Sequence, residues 1–136
     1  MLSRRNILTA ATAALLLAAV SARLPAQNAP PAEGNEADLI AVLQSADSPV
    51  FERAKACQTL AVIGTKRCVP VLTRLLSDEK LAHYARFGLE PIPDPSVDDA
   101  LRAAMGKLQG MMLVGVVDSI GIRRDAKAVD GLKKLL

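Results

Sequence analysis

The sequence predicts an all-α fold, an α-solenoid of about three helical hairpins plus one N-terminal helix, and three observations carry that expectation. The first is a recurring block. Leu60-Ala-Val-Ile-Gly64 leads through Thr65-Lys66-Arg67 into Val69, Leu72, Leu75 and Leu76, and Val117-Asp-Ser-Ile-Gly121 leads through Ile122-Arg123-Arg124 into Val129, Leu132, Leu135 and Leu136. Helix, glycine, basic turn and helix recur at offsets of about 57–60 residues, the mark of stacked repeats. The second is the regular spacing of helix caps and prolines from Asn35 onward, with no sustained two-residue alternation of the kind strands need. The third is composition. Two Phe, one Tyr and no Trp leave Leu, Val, Ile, Ala and Met to build the core, which suits short, closely packed helices.

Residues 1–22 read as a cleavable signal peptide. Arg4 and Arg5 precede an apolar and small-residue run from Ile7 to Val20, and Val20-Ser-Ala22 offers a cleavage site. That run is too short to span a bilayer comfortably, so no stable membrane anchor is expected after cleavage. Ser3-Arg-Arg-Asn-Ile-Leu8 resembles the twin-arginine export motif, with Thr9 where Lys is common. The expected location is therefore outside the cytoplasm, periplasmic or extracellular. Residues 23–35, with three prolines and little to bury, read as a flexible linker.

The remaining segment, 36–136, divides into seven helices. Asn35 caps the first, whose apolar side is Leu39, Ile40, Val42 and Leu43. Ser48-Pro49 is a cap followed by proline at the first helical position, and that helix carries Phe51, Ala54, Leu60 and Ile63 up to Gly64. The third runs from about Cys68 to Leu76, with Pro70 tolerated in its first turn. Asp78 caps the fourth, which presents Leu81, Tyr84, Ala85, Gly88 and Leu89 and ends before Pro91. Asp94-Pro95 starts the fifth, with Leu101, Ala104, Met105 and Leu108, and Gly110 breaks it. The sixth presents Val114, Val117 and Ile120 and stops at Gly121. Asp125 caps the seventh, with Val129, Leu132, Leu135 and Leu136.

Pairing the second helix with the third, the fourth with the fifth and the sixth with the seventh gives hairpins about 30 residues apart. Together with the block from Leu76 to Pro95, this resembles short bacterial HEAT-like repeats of the phycobilin-lyase type. The resemblance covers about residues 37–136 and implies a repeat fold that presents surface. The chain departs from the pattern at Arg67, where a capping Asp or Glu is usual. It also ends at Leu135-Leu136 without a polar capping helix, as expected of a C-terminal truncation or of a last hairpin that docks on something else.

Charge excludes several partners. The seventeen basic and fourteen acidic residues fall to fifteen and fourteen once residues 1–22 are removed, a net of +1. Such a chain has no global electrostatic attraction to nucleic acid, and its few aromatics do not suit base stacking. No catalytic, cofactor-binding or metal site is expected. His83 is the lone histidine, and neither cysteine belongs to a Cys-x-x-Cys pair. Cys57 and Cys68 face the neighbouring helix with an axial offset of about 7–8 Å on top of an interaxial distance of about 8–10 Å, beyond the roughly 7 Å Cα separation that a disulfide allows. Asp94, Asp98 and Asp99 lack the calcium-loop spacing and suit a helix's first turn.

The one candidate site is a basic edge. Lys66, Arg67, Arg123 and Arg124 fall at corresponding connections of two hairpins, so stacking would align them toward an acidic partner. The expected function is a non-catalytic exported scaffold or protein-interaction module, with a protein partner and no evident small-molecule substrate. The alternative is an accessory repeat segment of a larger exported enzyme or redox protein.

Overall fold

The computed structural model describes residues 35–136, so the signal-peptide, twin-arginine and linker readings lie outside the described residues, Asn35 excepted. Within them every regular element is helical. The seven α-helices are α1 (Glu36–Gln44), α2 (Val50–Ile63), α3 (Val69–Arg74), α4 (Ala82–Leu89), α5 (Pro95–Met105), α6 (Gly110–Ile122) and α7 (Val129–Lys133). Short 3-10 turns at Leu75–Ser77 and Ala126–Ala128 complete the set.

Most starts follow from the caps. The Asn35 side chain accepts from the Ala37 N–H, Asp94 from Ser96 and Asp125 from Lys127, each satisfying a donor that the first helical turn leaves open. Asp78 also caps, accepting from the N–H groups of Lys80 and Leu81, but it does so for a turn that precedes α4. Ser48 does not cap α2, whose entry is made by Pro49 without a side-chain bond.

The start of α3 is where the sequence lacks an acid, and the fold brings one from elsewhere. Glu36, in the first turn of α1, accepts from the Thr65 N–H at 2.7 Å and from the Thr65 hydroxyl at 2.9 Å. The same hydroxyl accepts from the Arg67 N–H at 3.3 Å, and the Arg67 guanidinium lies 4.0 Å from the carboxylate. Partial burial works to raise the Glu36 pKa, but the two Thr65 donors, with Arg67 and the Cys68 thiol, carry it below its ordinary 4.5. A depressed carboxyl contributes stability that is present above 4.5 and is lost as pH falls through the folded value. Glu36→Gln is therefore expected to cost about 1–2 kcal/mol at pH 7. The gap between the two proteins should narrow in denaturant titrations as pH falls below 4.5 and through the folded value. An equal gap at every pH would mean that the carboxylate charge is irrelevant to this latch.

A single buried cluster runs through the described residues. Leu60, Leu72, Leu81, Leu89, Val97, Leu101 and Val116 are fully enclosed, each contributing about 1.5–3 kcal/mol on transfer from water. α2 packs chiefly against α1 and α4, and α4 reaches α6, while α3 packs on α5 and α5 on α6. α4 comes close to its neighbours at Gly88. A Cβ there would stand 3.0 Å from the Cys57 carbonyl oxygen and 3.2 Å from a Leu72 methyl, so glycine lets α4 settle onto α2 and α3.

Four expectations for the second half and the surface are corrected. Helix α5 ends at Met105, before Gly110, which instead opens α6 with a positive φ of 58°. α6 continues through Gly121 to Ile122, and its buried side is Gly115, Val116, Ser119 and Ile120. Val114 lies outside that buried side and is exposed. α6 is apolar around most of its circumference, so spacing alone could not select the buried side. Phe51, Val129, Leu135 and Leu136 also stand in solvent.

Candidate functional site

The two halves of the basic edge have different fates. Lys66 and Arg67 sit in the turn between α2 and α3, and both are exposed, Arg67 by 66% of its side chain. Arg123 ends α6 and turns inward, leaving 10% of its side chain exposed. Its Nη1 donates to the carbonyls of Glu90 and Ile92 at 2.7 and 2.8 Å, and its Nη2 to the Asp94 carbonyl at 3.3 Å. Its Nε donates to the Asp98 carboxylate. Arg124 is exposed, in the left-handed region at φ 56°. Arg123 thus adds no free cation to a ridge.

The physical reason lies in the loop that Arg123 grips. Pro91, Pro93 and Pro95 have no N–H, so this stretch presents carbonyl acceptors with few backbone donors of its own. A planar guanidinium with five donors matches several acceptors at once, which an ammonium cannot do. The acidic residues beside the loop also have separate structural partners. Asp94 caps α5, Asp98 meets Arg123, and Asp99 meets Arg102, which also holds Asp125 at the approach to α7.

The two cysteines are buried and the one histidine stands on the surface. Cys57 and Cys68 are free and buried, and burial is the main cause that pushes both thiols up to about 11. Cys68 donates to the Thr65 carbonyl at 3.1 Å. His83 is exposed, 3.5 Å from Arg86 and edge-on to Tyr84. No group of three His, Cys, Asp or Glu side chains placed to hold a metal occurs among the described residues, and no helix among them is long and apolar enough to cross a membrane.

Two surfaces stand out instead. One is a cleft of about 400 Å³ crossing α2, α4 and α6, lined by Ala61, Val62, Phe87, Pro91, Glu90 and Ile122. Val62 is 85% exposed, Ile122 57% and Phe87 50%. It adjoins a cleft of about 230 Å³ where His83, Arg86 and Asp118 join Phe87, Glu90 and Ile122. The second surface is a groove between α3 and α5, made of two adjoining hollows of about 650 and 330 Å³ that share Thr73 and Ala100. Lys66 and Arg67 line its first hollow. The groove walls also draw on Arg74 and Lys107, which recur in no repeat and were missed for that reason. The apolar cleft was missed because Val62 and Phe87 fall outside the apolar sides read for their helices and Ile122 reads as part of a connecting turn.

No protein-family model matches the chain, and neither the curated proteins nor the solved structures contain a match to it.

Proposed function

We propose that this chain is a non-catalytic, exported protein-interaction module, a short α-solenoid of HEAT-like hairpins. Support for the repeat arrangement comes from packing between alternate helices, α2 with α4, α4 with α6 and α3 with α5. Support for export is the Arg4-Arg5 leader described above. The observation that carries the functional reading is the cleft formed by Val62, Phe87, Pro91 and Ile122. Three helices that bury their other sides contribute large apolar side chains here to solvent. Contiguous exposed apolar surface of this kind is where water is most readily displaced by a partner. Charges of both signs around it, Arg86 against Glu90 and Asp118, suit a protein surface better than a uniformly charged polymer or bilayer.

Photo-crosslinking in the producing cells tests this reading. A photoreactive residue at Phe87 or Ile122 is expected to give a discrete covalent adduct, and one at Lys134, on the exposed C-terminal segment, to give none. Free chain only, at both cleft positions, would overturn the reading. The intact mass of the same material checks the leader, since export with cleavage requires a product beginning near Arg23.

A further inference from the structure

The groove between α3 and α5 has a different character from the apolar cleft. Its floor is made of small or apolar side chains, Val69, Ala100, Ala103, Ala104 and Leu108, which allow close approach of another backbone. Its walls carry Lys66, Arg67, Arg74 and Lys107. Asp94 is the one carboxylate among the lining residues, and it is engaged by the Ser96 N–H at 2.9 Å and the Ser96 hydroxyl. Arg67 shares Glu36 at 4.0 Å, while Lys66, Arg74 and Lys107 have no carboxylate within 4 Å among the described residues. Yet residues 35–136 as a whole hold fourteen basic and thirteen acidic side chains. The groove lining is therefore positive, four basic side chains against Asp94, within a segment that is close to neutral as a whole.

We infer that this groove binds an acidic segment of a partner protein, one in which Asp or Glu alternates with small apolar residues. Charge complementarity selects the acidic side chains, and the alanine-lined floor selects the small ones. The nine residues from Val69 to Ser77 run about 15 Å, room for about four or five residues of extended chain. A bilayer is the poorer fit, because the cations line a concave channel and the exposed Val62, Phe87 and Ile122 line a different cleft. Base stacking is equally poorly served, since no aromatic ring lines the groove.

The inference rests on the reading of the chain as an interaction module but concerns a separate surface, so crosslinking at Phe87 and binding at this groove can fail independently. The probe is a fluorescein-labelled twelve-residue peptide alternating Glu and Ala, titrated by anisotropy against the full chain. Saturable binding is expected, weakened about tenfold or more by Lys66→Glu/Arg74→Glu/Lys107→Glu and weakened by added salt. The variant Lys80→Glu/Lys127→Glu/Lys134→Glu makes the same change in net charge elsewhere and is expected to bind within about twofold of the unaltered chain. Lys66→Gln/Arg74→Gln/Lys107→Gln repeats the test with a smaller charge change, should reversal disturb folding. Absence of saturable binding, or equal loss in both reversal variants, overturns the groove. So does a triple reversal that abolishes sedimentation with phosphatidylserine vesicles while leaving peptide binding intact, which would make the occupant a membrane.

Discussion

Arg123→Ala is expected to destabilise the chain by about 3–5 kcal/mol, the range for breaking a buried, hydrogen-bonded charge pair. The change strands the carbonyls of Glu90, Ile92 and Asp94, and it leaves Asp98 without the guanidinium that faces it. Water can rescue only part of this, because the side chain is 10% exposed where it sits. Arg123→Lys should recover less than half of the loss, since one ammonium cannot address four acceptors placed around a planar fork. Arg124→Ala, one residue on and exposed, should change stability by no more than about 0.5 kcal/mol. Urea denaturation of the three variants separates these outcomes. Equal midpoints for Arg123→Ala and Arg124→Ala would show that the proline loop holds itself.

Leu72→Ala is expected to cost about 2–5 kcal/mol, as a fully buried side chain removed from a packed centre. Its neighbour across the helix crossing makes the assignment sharper. A Cβ at Gly88 would meet the Leu72 methyls at 3.2 and 3.3 Å and the Cys57 carbonyl at 3.0 Å. Gly88→Ala alone should therefore be destabilising by about 1–3 kcal/mol through overpacking. In the double variant the added methyl enters space that Leu72 has vacated, so the combined cost should fall short of the two single costs by at least about 0.5 kcal/mol. Additive costs would place the strain at the Cys57 carbonyl alone. A cost below about half a kcal/mol for Leu72→Ala would remove that residue from the core.

Helix identity was legible because caps and prolines act within three or four residues. Asn35, Asp94 and Asp125 each bond an N–H two positions on, which a linear reading can see. What it could not see depends on contacts across the fold. The gap in the cap pattern at Arg67 was visible, but Glu36, which fills it, lies 29 positions upstream of Thr65. The buried side of α6 was unreadable because apolar residues surround it. Its actual inner side is marked by small groups, Gly115 under the Arg86 guanidinium and Ser119 donating to Glu90. The basic pairs show the limit most plainly. Lys66-Arg67 and Arg123-Arg124 are equivalent as letters, yet only the second lies beside a loop starved of N–H donors. That demand turned Arg123 inward, and the groove took its remaining cations from Arg74 and Lys107.

The Glu36 latch also changes what the first helix is. Nine residues of helix at the edge of a structure would ordinarily fray by themselves, opening and closing with little effect on the rest. Here the opening of α1 uncaps the turn that starts α3, because the acceptor for the Thr65 N–H leaves with it. The Thr65 amide should then report on an element 29 residues away, its hydrogen being expected to exchange with solvent on the timescale of α1 undocking, which hydrogen-exchange measurement would check.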